Sequence, residues 1–173
     1  MSAGTRARPR RRLAAVAGLV ALLVGLAGAP AADAYPRSGT VTQTSFGTLR
    51  QGMTKKQVRA RWGRATFARA GRPWSTMTYG RGKGRIVLTF YRGRFDDATT
   101  RLRGFRFRGV GVGMTWDAAR ARIPAIGCNF SELDAWPSGC YYGSRIAPRH
   151  EIYFVGPESG PIQRIWFVTD HAS

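Results

Sequence analysis

One short stretch occurs twice, and it limits the chain more than any other feature. Gly52-Met53-Thr54-Lys55-Lys56-Gln57-Val58-Arg59-Ala60-Arg61-Trp62-Gly63 returns as Gly113-Met114-Thr115-Trp116-Asp117-Ala118-Ala119-Arg120-Ala121-Arg122-Ile123-Pro124. Upstream, Phe46, Leu49, Gly52, Met53 and Thr54 match Phe107, Val110, Gly113, Met114 and Thr115 at a constant offset of 61. Matched positions at one offset mark two copies of a unit, and two copies are too few for a solenoid. Each copy reads as a short helix. Thr54 caps the first and Gln57 completes a capping box. Met53 and Val58 make a hydrophobic staple, and Gly63 supplies the stop. In the second copy Thr115 is the cap, Asp117 favours the helix dipole, and Pro124 ends the element.

Strand patterns follow each helix. Arg85–Arg92 alternates clearly, with Ile86, Leu88 and Phe90 on one side and Val87, Thr89 and Tyr91 on the other. Trp74–Tyr79 and Thr100–Arg108 flank it as further strands, with Gly80–Gly84 and Gly93–Thr99 as turns. After the second helix, strands are expected at Cys140–Gly143, His150–Val155 and Ile162–Thr169. The expected fold is α+β: two tandem units, each a helix plus a three-stranded antiparallel sheet, packed as one domain. The boundaries are 1–34 for an export signal, 35–44 for a mobile leader, 45–108 for the first unit and 109–173 for the second. Each sheet would keep one face free, where Tyr79, Tyr91, Tyr153 and Trp166 are candidate partner-binding residues, since aromatic side chains anchor interfaces.

The signal reading rests on Arg6, Arg8, Arg10, Arg11 and Arg12, then the uncharged apolar run Leu13–Ala29, then Ala32-Asp33-Ala34 as a cleavage site. Removal would leave Tyr35 as the first residue and no stable membrane span. The formal net charge is +19 over 173 residues. Between Arg37 and Arg108 there are 18 basic residues against two acidic; from Gly109 onward there are five against six. A charge concentrated in one half suits attraction to an anionic partner: an acidic extracellular or envelope protein, an anionic wall polymer, or lipid headgroups. Export and the lack of a recognised module argue against nucleic acid.

Little suggests chemistry. Cys128 and Cys140 are the only cysteines, and export favours a disulfide between them. A metal site with His150 and His171 would lack close ligand pairs. Asp96-Asp97 sits in a turn pattern, where adjacent carboxylates cap or solvate. No nucleophile elbow occurs, and Gly109-Val110-Gly111-Val112-Gly113 lacks the Lys-Ser/Thr of a phosphate loop. Neither enzymatic activity nor a cofactor is expected.

The doubled Phe-x-x-[Leu/Val]-x-x-Gly-Met-Thr pattern, each followed by a helix and three strands, resembles the beta-lactamase-inhibitory protein family over about residues 44–170. Each unit is also similar to the small lipoprotein of the outer-membrane assembly machinery, though no lipid-attachment cysteine follows the apolar run. The inhibitor resemblance implies a concave, aromatic-lined sheet that grips a partner protein, and a disulfide in the loop after each helix. Cys128 and Cys140 match that place in the second unit; the first has none. It also implies an acidic hairpin that enters an enzyme's pocket. The corresponding hairpin here carries Arg81, Lys83 and Arg85, the opposite charge, and these three are counted as candidate partner-binding residues.

Overall fold

The computed structural model describes residues 35–130, 138–143 and 150–169. The export signal, residues 170–173 with His171, and most of the loop between the two cysteines lie outside these. Two helices are present, α1 (Lys55–Trp62) and α2 (Trp116–Arg122). The strands in chain order are β1 (Ser38–Val41), β2 (Ser45–Phe46), β3 (Leu49–Arg50), β4 (Phe67–Arg69), β5 (Trp74–Tyr79), β6 (Ile86–Tyr91), β7 (Arg94–Thr100), β8 (Gly104–Phe107), β9 (Val110–Gly111), β10 (Gly127–Asn129), β11 (Gly139–Gly143), β12 (His150–Val155) and β13 (Arg164–Thr169).

Local chemistry explains the helices. Gln57 N–H donates to Thr54 Oγ1 at 3.3 Å while Thr54 N–H donates to Gln57 Oε1 at 2.8 Å, a closed capping box. Gly63 ends α1 at φ 72°, its N–H donating to the Arg59 carbonyl. Thr115 accepts from Ala118 N–H at 3.4 Å without a reciprocal partner. Ile123 rather than Pro124 is the last cap of α2. Both helix starts are pinned to distant backbone in the same way, the first to β7 and the second to the segment just before β13. Gly52 and Met53 exchange hydrogen bonds with Phe95, and Gly113 and Met114 do so with Ile162.

The architecture differs from two helix-plus-sheet units. The described chain is mostly β, in one sheet of eight strands ordered β10-β11-β12-β13-β7-β6-β5-β4 and one of five ordered β3-β2-β1-β8-β9. The halves meet strand to strand: β13 pairs β7, with Trp166 opposite Thr99 and Phe167 opposite Ala98. Pairing these two strands satisfies backbone groups that two separate sheets would each leave as an open edge. The segment expected as a mobile leader is structured as well. β1 pairs in parallel with β8, and both Tyr35 and Val41 are buried. Gly93–Thr99, expected as a turn, is largely the strand β7. Its pairing with β6 shifts by one residue, so that Phe90 faces Phe95, Thr89 faces Asp97, and Asp96 is the extra residue of a bulge. β4 pairs antiparallel with β5 at the sheet's edge, Phe67 opposite Thr78.

The core lies between one face of the eight-stranded sheet and a layer made of the small sheet and the helices. Met77, Tyr79, Ile86, Leu88, Phe90, Ile165, Phe167, Ile152 and Phe154 come from the large sheet. Phe46, Phe105, Phe107, Trp62 and Trp116 come from the opposing layer. Phe46 stacks on Phe105 at 4.5 Å between centroids, and Trp62 meets Tyr79 edge-on at 5.4 Å. Burying each such ring stabilises the fold by about 1.5–3 kcal/mol.

Candidate partner-binding face

The burial alternation along β5 and β6 separates two faces of the large sheet. One is sealed by the core; the other is partly open to solvent. Threonines mark the open face: Thr76, Thr78, Thr89 and Thr99 all point there, opposite the core residues of their strands. The register then lays side chains out in rows across the strands. Tyr141, Tyr153, Trp166, Thr99, Val87, Thr78 and Phe67 follow one another from β11 to β4 as successive partners. The rings of Tyr141 and Tyr153 are 6.0 Å apart, and those of Tyr153 and Trp166 are 5.5 Å apart. At the far corner Trp74 packs on Tyr91 at 4.7 Å, and Arg92 lies 5.1 Å from the Tyr91 ring centroid. Phe67 is 62% exposed and Trp74 48%, the large apolar side chains most open to water among the described residues.

Charged side chains border this aromatic row. On one side Arg164, opposite Val155, lies in the field of Arg101 and Arg85. Burial and these two neighbouring cations pull the Arg164 guanidinium below its ordinary range. On the other side are Asp97 on β7 and Glu151 on β12. Glu151 is 1% exposed, and its Oε2 accepts from the Tyr153 hydroxyl at 2.6 Å. The Thr89 hydroxyl and the Trp166 indole lie near Asp97 and favour its ionised form. Burial, reinforced by the charge of Asp96, raises the Asp97 carboxyl to about 6 despite those two neighbours. Asp96 itself is buried and takes a hydrogen bond from Thr169.

Tyr91, Tyr153 and Trp166 therefore share the open face, Tyr153 being the most covered at 6% exposure. Tyr79 does not: it points into the core, donates to the Gly63 carbonyl at 3.2 Å, and burial pushes its hydroxyl up to about 12. It is withdrawn as a contact residue, because its strand parity matches Met77 and not the threonines. Arg81 and Lys83 stand at the tip of the β5–β6 connection, around a short 3-10 turn at Gly82–Gly84. Arg81 joins Arg37 and Arg64 in lining a cleft of about 510 Å³ beside Tyr35 and Gly80. Arg85 immediately precedes β6, and its charge acts on Arg164 of the open face. Phe67, Trp74 and Tyr141 were missed from sequence; for Trp74 the signal was available, since it alternates with Tyr79.

Cys128 and Cys140 form a disulfide across directly opposed positions of β10 and β11. This excludes them as metal ligands. It also agrees with an exported protein, because such bonds persist in oxidising compartments. Among the described residues no helix is long and apolar enough to cross a membrane.

No protein-family model matches this chain, and no curated protein matches it. An extracellular protein containing an SCP domain, from Bacillus anthracis, superposes with a TM-score of 0.49 at 8% identity, over 69% of this chain and 44% of that one. This chain thus spans less than half the length of that protein. A DUF4309 family protein from Bacillus subtilis superposes with a TM-score of 0.46 at 12% identity, over 75% of this chain and 86% of that one. Both likenesses are too distant to convey an activity or a partner.

Proposed function

We propose that this chain is an exported, non-enzymatic binding protein that grips an extracellular or envelope protein with the open face of its eight-stranded sheet. The observation that carries this reading is the aromatic row Tyr141–Tyr153–Trp166, bordered by arginines on one side and carboxylates on the other. Rigid aromatic rings offer large contact area at little entropic cost. Opposite charges on either side fix the orientation of a partner and not merely its approach. The arginine-rich N-terminal stretch and the disulfide support export.

Affinity capture with the chain from Tyr35 onward tests it, using envelope and medium as the source. A specific partner stays bound in about 0.5 M salt, where screening has shortened the range of charge attraction to a few ångströms. Tyr91→Ala and Trp166→Ala each weaken it at least about tenfold. A second reading rests on the cleft lined by Arg37, Arg64 and Arg81: attraction to an anionic wall polymer or to lipid headgroups. Binding that disappears in salt and ignores both aromatic substitutions would establish that reading instead. Inhibition of beta-lactamases, which the family resemblance implies, is a narrower form of the first. It requires slowed nitrocefin turnover by class A enzymes, and the basic hairpin at Arg81, Lys83 and Arg85 argues against entry into a positively lined pocket.

A further inference from the structure

The chain is strongly basic, yet its few carboxylates are not scattered. Of the five acidic side chains among the described residues, Asp96, Asp97 and Glu151 lie on β7 and β12, the two strands that flank β13. Asp97 and Glu151 point to the open face. Glu151 pairs with Val168 in the ladder, and the Thr169–Asp96 hydrogen bond carries the β13–β7 register one step further, setting Val168 beside Asp97. Val168 is thus a partly exposed floor between two carboxylates. Strands two apart in a sheet are about 9.5 Å apart, so carboxylates on the two outer strands lie within reach of one bridging planar cation. Trp166 and Tyr153 form the wall on the aromatic side, and ring faces attract cations.

Two further observations point to an absent ligand. Glu151 Oε1 is buried and has no hydrogen-bond partner, although Oε2 is satisfied by Tyr153. A buried carboxylate oxygen left unpaired is costly, and a donor that reaches it is correspondingly favourable. Opposite Glu151 on β11 stands Gly143, at φ 138°. There a Cβ would lie 2.2 Å from the His150 carbonyl, so position 143 itself excludes a side chain. Neither Asp97 nor Glu151 forms an ion pair with a described residue, despite the abundance of arginine.

We infer that Asp97 and Glu151, flanking Val168 beside Trp166 and Tyr153, pair with an arginine or lysine side chain of the partner protein. This rests on the open face being the contact surface. It adds the partner's chemistry: a basic side chain over the carboxylates, with an acidic group some 13 Å away to meet the Arg85, Arg101 and Arg164 edge, that distance being four residues along a strand. An anionic polymer supplies no such cation.

Ethylguanidinium is a suitable probe, with neutral N-ethylurea as its control. The readout is the indole N–H resonance of Trp166, which senses the Asp97 carboxylate beside it. Ethylguanidinium is expected to shift that resonance saturably, and N-ethylurea is not. Asp97→Asn and Glu151→Gln, both nearly isosteric, are each expected to weaken the response at least about tenfold. No saturable shift in the unmodified protein, or an equal shift with N-ethylurea, overturns the proposal without reliance on any variant. In partner capture, loss with Trp166→Ala but full retention with Asp97→Asn and Glu151→Gln overturns the notch and leaves the face reading intact. Saturable ethylguanidinium binding with a partner that tolerates Trp166→Ala supports the notch and removes the face reading.

Discussion

Asp97 shows how one residue can trade stability for availability. Its carboxyl is raised from 3.8 to about 6, chiefly by burial. A raised acid binds its proton more tightly in the folded state than in the unfolded chain. Its ionisation therefore weakens the fold, with no cost below the unfolded value and the full cost above the folded one. Stability should fall as pH rises from about 4 to about 6. Asp97→Asn removes that slope and stabilises the protein at pH 7 by on the order of 1 kcal/mol, less than the full shift implies because water reaches the open face. Urea unfolding across that pH range checks this, and an unchanged slope in the variant refutes it. Tyr79 teaches the reverse lesson. As a residue type it suits an interface, but its place on β5 alternates with the threonines, and the core takes it.

Among the elements, the helices were the most legible. A cap is decided within four residues, so Thr54, Gln57 and Gly63 announce α1 without reference to the rest of the chain. The two caps are unequal, since only Thr54 has a reciprocal partner. Thr54→Ala should cost about 1 kcal/mol and Thr115→Ala less, as measured by chemical denaturation. Equal losses would mean that the side chain of Gln57 contributes nothing. The clearest strand, β6, was legible for a similar reason, because its Ile-Leu-Phe alternation lies within six residues. β7 was not: its polar Asp-Asp-Ala-Thr-Thr resembles a turn and becomes a strand through its partners on both sides and a bulge at Asp96. The cross-strand disulfide closes a short loop between β10 and β11, and replacing both cysteines by serine should lower stability by about 3 kcal/mol. A comparison of the oxidised protein with the double variant tests this, and equal denaturation midpoints would count against it.

At the scale of the whole molecule, the segment at residues 35–44 has most to reveal. β1 is central in the five-stranded sheet, between β2 and β8; it carries buried Val41, and Tyr35 just before it is buried too. Removing residues 35–41 should cost at least about 3 kcal/mol and expose Phe105 and Phe107 to a hydrophobic dye. A truncated chain as stable as the intact one would restore the mobile leader. The amino-acid sequence by itself determined the helix caps, the alternation of β5 and β6, the one possible cysteine pair and the concentration of positive charge, since each depends on near neighbours or on composition. Only the tertiary structure decided that β13 joins β7 to make one sheet of eight, that β1 inserts beside β8, and which face of the large sheet stays open. Backbone hydrogen-bonding groups are the same in every residue, so a strand edge does not encode its distant partner locally. That choice falls to whichever packing buries the aromatic core and leaves fewest edges unpaired.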